Sequence, residues 1–61
     1  MKFKIMAEAH EGVFSIDEEC LDVMDADSEI DALTIFADKD ARVTNHEGVF
    51  WIKHRRIFAV S

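Results

Sequence analysis

The chain has no proline, two glycines and one cysteine in 61 residues, and each shortage excludes something. Without proline no stretch reads as a linker, and residues 1–61 are expected to form a single domain near the lower size limit for folding alone. A lone cysteine, Cys20, allows no internal disulfide, which fits a reducing, cytoplasmic setting. With only Gly12 and Gly48 there is no glycine-rich loop to cradle a phosphate. No apolar run approaches the length of a membrane span. Met1–Ala9 alternates instead of forming the apolar block of a signal peptide.

Cations are the next shortage. From Glu8 to Asp40 there are twelve carboxylates and one cation, Lys39, a local charge of −11; from Ala41 onward four cations face one carboxylate, and the whole chain carries −6. Phosphate binding is driven by cations that release counterions, so this balance opposes direct contact with nucleic acid. The small basic group of Arg42, Lys53, Arg55 and Arg56 beside Trp51 is the only feature that favours it. The acidic run, with Glu18, Glu19, Asp22 and Asp25 at its centre, is better suited to a protein partner with a basic surface, or simply to solubility.

What is present in excess is order. His-Glu-Gly-Val-Phe occurs at His10–Phe14 and again at His46–Phe50, and with one mismatch the match extends to Ile16 and Ile52. A glycine after polar residues between alternating apolar runs signals a β-hairpin, so two hairpins of one design are expected, with positive φ at Gly12 and Gly48. In the first, a two-residue Glu11-Gly12 loop sets Ala9 opposite Phe14, Ala7 opposite Ile16 and Lys4 opposite Glu19, because an odd loop would invert the apolar face. Alternation falters at Asp17-Glu18-Glu19 and resumes at Leu21 and Val23, which calls for a bulge or bend.

Ser28 before Asp31 resembles a capped helix start. Ile30, Leu33, Phe36 and Ala37 follow at helical spacing, flanked by Ala32 and Ile35. Acids in the first turn and Lys39 in the last suit the helix dipole, and the helix is expected over 28–39. Strands follow at Arg42–Asn45, Val49–Lys53 and Ile57–Val60, with even loops that set Val43 opposite Ile52 and Asn45 opposite Phe50. The fold class is therefore α+β, an antiparallel sheet of four to five strands with one helix packed on one face, in the order β-β-α-β-β-β. The expected core is Phe3, Ile5, Phe14, Ile16, Leu33, Phe36, Phe50 and Ile52.

One helix covers only one face of a sheet. Phe50 and Ile52 belong to the covered face, so Val49, Trp51, Phe58 and Val60 gather on the other, unless the Cys20–Ala26 segment or the C-terminus folds over them. Contiguous exposed apolar residues on a small protein mark an interface, and tryptophan is enriched at binding hot spots. The candidate partner-binding residues are thus Val49, Trp51, Phe58 and Val60, with Glu18, Glu19, Asp22 and Asp25 for steering.

Signatures of chemistry are scarce. His10, His46, His54 and Cys20 could be brought together at hairpin tips, but their spacing matches no zinc pattern. Asp25, Asp27 and Glu29 alternate as in a calcium loop, yet Ile30 and Phe36 stand where that loop requires Gly and Glu. Ser15, Ser28, Thr34, Thr44 and Cys20 are not placed beside a histidine in a pattern that activates a nucleophile. No cofactor, metal or catalytic residue is assigned, and the chain reads as a binding protein.

The order of hairpin, helix starting at Ala26-Asp27-Ser28, then strands through Asn45–Lys53 and Ile57–Val60 resembles certain small phage-encoded anti-CRISPR inhibitors. The resemblance is one of topology and composition. It implies a protein that blocks a nucleic-acid-handling complex sterically or by placing carboxylates where phosphates would lie. The alternative is a self-associating accessory or regulatory domain, a homodimer through the same sheet face.

Overall fold

The structure, a computed structural model, describes residues 1–61. Five strands and one helix follow in the order β1 (Lys2–Ala7), β2 (Glu19–Asp25), α1 (Glu29–Lys39), β3 (Val43–His46), β4 (Val49–Ile52) and β5 (Arg55–Val60). They form one antiparallel sheet in the spatial order β2-β1-β5-β4-β3. The α+β class and the β-β-α-β-β-β order are those the periodicity predicts. No helix is long and apolar enough to cross a membrane.

The helix begins where its cap is. Ser28 is extended, and its hydroxyl accepts from the Asp31 backbone N–H at 3.2 Å. That bond satisfies one of the donors every helix start leaves free. At the other end Asp40 leaves the helix, and its carboxylate accepts from the Arg42 backbone N–H and from the Arg42 guanidinium. Strand β3 therefore starts at Val43, one residue later than the alternation suggests. The buried helix residues are Ala32 and Phe36, with Leu33 and Ala37 half-buried, while Ile30 and Ile35 are exposed. The expected stripe of Ile30, Leu33, Phe36 and Ala37 is thus rotated toward Ala32.

The core lies between α1 and one face of the sheet. It contains Phe3 and Ile5 of β1, Met24 of β2, Phe50 and Ile52 of β4, Ile57 and Ala59 of β5, and Ala32 and Phe36 of the helix. The period of two puts Phe3, Ile5 and Ala7 on this face, and all three are buried. The second hairpin has the expected register, Val43 opposite Ile52 and Asn45 opposite Phe50. Its turn is Glu47-Gly48, with φ of 54° and 84°. Positive φ at both central residues is the primed geometry that matches strand twist. The Asn45 side chain accepts from the Gly48 N–H at 2.9 Å and braces the turn. Lys53-His54 makes the next turn, also of two residues, with Ile52 opposite Arg55.

The first hairpin departs from expectation. Lys4 lies opposite Val23, not Glu19, and Ala7 lies opposite Glu19, not Ile16. Strand β2 is not the run after Gly12 but the later run Glu19–Asp25. The bulge lies at Leu21, not at Asp17-Glu18-Glu19, so that Asp22 faces Ile5 and Cys20 faces Met6. Phe14 and Ile16 are exposed and leave the core, and Gly12 does not take positive φ. The physical reason is visible in the rejected register. It would set Glu18 opposite Ile5 on the covered face and leave Val23 and Met24 beyond the end of β1. In the observed register Met24 faces Phe3. Asp22, though opposite Ile5, reaches Lys39 of the helix at 4.0 Å. Strand β2 then also ends at Asp25, three residues from the helix that must follow it.

Candidate partner-binding surface

The face turned away from the helix is built by the other half of each strand's alternation. Strand β1 contributes Lys2, Lys4 and Met6, β4 contributes Val49 and Trp51, and β5 contributes Arg56, Phe58 and Val60. The register sets Met6 beside Phe58, Lys4 between Val60 and Val23, and Trp51 between Arg56 and Thr44. Trp51, Phe58 and Met6 are half-buried by their neighbours, and Val23, Val49 and Val60 are exposed. Val49, Trp51, Phe58 and Val60 therefore share this face of the sheet. Nothing in the chain covers them. The Cys20–Ala26 segment joins the sheet edge as β2, and the C-terminal strand is the sheet's centre.

Arg56 organises the cationic part of this surface. Its guanidinium carbon lies 5.6 Å from the centre of the Phe58 ring, and its Nε donates to the Glu8 carboxylate at 2.9 Å. A guanidinium over an aromatic face is attracted by the ring's negative π-cloud. Lys2 and Lys4 take part in none of the four ion pairs of the molecule. The open face is thus apolar at its middle and cationic around it, although the chain as a whole is acidic.

The four carboxylates singled out with this patch do not share its position. Glu19, Asp22 and Asp25 lie along β2 at the sheet edge, and Glu18 precedes them. Glu19 accepts from Arg55, Asp22 pairs with Lys39, and Asp25 lies opposite Lys2. Their charges blunt an edge strand whose unpaired backbone groups would otherwise invite another strand. Steering by these acids and docking on Trp51 would involve two adjoining surfaces.

Arg55 is the residue the sequence reading misplaces. Grouped with Arg56 as one basic patch, it in fact points the opposite way, because consecutive strand residues face opposite sides. Its side chain is only 13 % exposed. It donates to the Glu8 and Asp17 carbonyls at 2.9 Å each, to the Ala7 carbonyl at 3.4 Å and to the Glu19 carboxylate. One guanidinium therefore holds both ends of the connection between β1 and β2. Alternation within Arg55-Arg56 was the signal available for this.

That connection projects a second apolar feature. His10 and Ile16 exchange two backbone hydrogen bonds, both 2.8 Å, and close a loop over residues 11–15. At its tip Val13 is 95 % exposed and Phe14 82 % exposed. The His10 ring stacks on His54, with centroids 6.1 Å apart. It is His54 that lies against His10, not the His46 of the equivalent pentapeptide, and no group of three potential metal-ligating side chains gathers there.

Three of the groups that could act as nucleophiles are engaged locally. Ser28 caps the helix, the Thr34 hydroxyl donates to the Ile30 carbonyl at 2.8 Å, and the Cys20 thiol lies 3.4 Å from the Asp22 carbonyl. A recess at the junction of β2 and α1 is lined by Asp25, Ala26, Asp27, Asp31, Thr34 and Ile35.

No protein-family model matches the chain, no curated protein matches its sequence, and no solved structure matches its fold.

Proposed function

We propose that this chain is a non-enzymatic protein-binding module whose open sheet face, centred on Trp51, receives a protein partner. The observation that carries the reading is the apolar cluster of Met6, Val49, Trp51, Phe58 and Val60 on the side the helix leaves bare. Burying such a cluster removes apolar area from water, the dominant driving force in association. The half-buried Trp51, fixed between Arg56 and Thr44, has the character of an anchor. A partner that fits both surfaces carries charges of both signs: carboxylates for Lys2, Lys4 and Arg56, and cations for the β2 edge. The finer form of the proposal is an inhibitor of a nucleic-acid-handling complex, as the topological resemblance to anti-CRISPR proteins implies. It rests on the number of carboxylates, Glu18, Glu19, Asp22 and Asp25, in and beside the edge strand β2.

Capture from cell lysate by the immobilised chain tests the reading. Trp51→Ala should lose its captured proteins or weaken their binding by roughly 2 kcal/mol, the usual hot-spot scale, with the fold intact by circular dichroism. Ile30→Ala, at an exposed helix position, should capture what the parent captures. A Trp51→Ala chain that retains the same proteins at the same affinity would remove the sheet face from consideration.

A further inference from the structure

Two surfaces of this chain are complementary to one another and stand apart within one copy. The loop tip carries Val13, Phe14 and Ile16, all exposed, among Glu11, Asp17 and Glu18. No cation occurs in the sequence between Lys4 and Lys39. The open sheet face has the opposite sign, with Met6, Trp51, Phe58 and Val60 among Lys2, Lys4 and Arg56. Of the carboxylates beside it, Glu8 is bound to Arg56.

From this complementarity we infer that the partner is a second copy of the chain, with the loop tip of one copy docked on the open sheet face of the other. The inference rests on the reading of that face as a docking surface and names its occupant. Phe14 meets Trp51 and Phe58, where aromatic rings gain from edge-to-face or offset stacking. Glu11, Asp17 and Glu18 approach Lys2 and Lys4, the cations of the face that take part in no ion pair within the chain. The loop enters the contact already shaped. The His10–Ile16 bonds close it, and Arg55 ties the Glu8 and Asp17 carbonyls to the start of β5. Fixing the loop's ends in advance reduces the conformational freedom to be lost on association, which favours binding. The histidine stack on His54 adds a further tie between the loop and the β4–β5 turn.

Sedimentation of the whole chain from micromolar to millimolar concentration decides the matter, with Trp51 fluorescence as a second readout because it is the single tryptophan. The expected result is reversible self-association that salt weakens and a blue shift of Trp51 as it proceeds. Phe14→Ser and Trp51→Ala should each weaken it about tenfold or more. Ile30→Ser, at an exposed apolar position on the helix, should leave it unchanged. Lys4→Glu alone should weaken association, and mixing that chain with Glu18→Lys copies should restore it. A parent that stays monomeric at millimolar concentration overturns the inference and leaves the sheet face open to a foreign protein. If Trp51→Ala weakens association and Phe14→Ser does not, the occupant is wrong and the docking face stands. If Phe14→Ser weakens it and Trp51→Ala does not, the docking face itself fails.

Discussion

His10–Phe14 and His46–Phe50 are the same five residues in one chain, and they adopt different structures with different fates. In the second copy Glu47 and Gly48 take positive φ, the turn closes in two residues, and Phe50 enters the core at 7 % exposure. In the first copy Gly12 stays out of the left-handed region, the chain runs on past the turn position, and Phe14 projects into solvent. The difference comes from what flanks each copy. Val43 before the second copy and Ile52 after it continue an alternation that puts them with Phe50 on the helix-covered face, while Asn45 braces the turn. After the first copy come Asp17, Glu18 and Glu19; a continued hairpin would set Glu18 opposite Ile5, whereas the observed register sets Asp22 there, within reach of Lys39, and an unpaired charge on the covered face is expensive. A hairpin signal of five residues is thus a local preference that its surroundings can overrule.

The contrast is sharpest at the two phenylalanines. Phe50→Ala should cost roughly 3–5 kcal/mol, the range for a fully buried phenylalanine, against a total stability of about 5 kcal/mol for a small domain. Phe14→Ala should change stability by less than about 0.5 kcal/mol, as surface substitutions do. Urea denaturation of the two variants measures both, and a comparable loss in each would mean that the first copy is packed after all.

The next test separates the loop from the turn. Arg55→Ala removes the charge-assisted bonds that hold residues 8–18, with an expected loss of about 2 kcal/mol. Hydrogen exchange should quicken first at the His10 and Ile16 amides, whose bonds close the loop, while the amides of the second hairpin stay protected. Uniform loss of protection across both regions would show that Arg55 supports the whole sheet instead of the connection.

A smaller effect distinguishes the two glycines. Gly48→Ala should cost on the order of 1 kcal/mol because alanine is strained at positive φ. Gly12→Ala should be close to neutral: its φ is not in that region, and an added Cβ would meet only the His10 Nε2, at 3.7 Å, an ordinary contact. Equal costs at the two sites would contradict the difference between the copies.

The smallest effect belongs to an ion pair that leads into the second hairpin and has no counterpart before the first. The Arg42 guanidinium, bonded to both oxygens of Asp40, lowers that carboxyl from 3.8 to about 2. A carboxyl depressed in the folded chain contributes stability that is present above its ordinary value and is lost as pH falls through the folded one. Asp40→Asn should therefore narrow the stability gap between pH 5 and pH 2 relative to the parent. The gap should shrink only slightly, because the Arg42 side chain is exposed and solvent screens the pair. An unchanged pH profile would show that the pair adds nothing to folding.

Several features are legible in the sequence alone. Ser28 and Asp31 mark the helix start because capping is settled within one turn of chain. The Glu47-Gly48 turn and its register follow from the turn residues and the alternation beside them. Trp51 lies opposite in sense to Phe50 and Ile52 because side chains alternate along a strand. What the local pattern could not decide was anything that depends on a distant element. The pairing of β1 with Glu19–Asp25 depends on where β2 must end to feed α1, and on which acids can reach Lys39. The helix face is rotated toward Ala32 because the sheet, assembled from residues at both ends of the chain, sets where the helix rests. The inward turn of Arg55 exists only once the carbonyls of Ala7, Glu8 and Asp17, remote in sequence, have been gathered around it. Local conformational preference acts over a few residues, whereas burial and the pairing of charges are satisfied only when the whole chain has closed on itself.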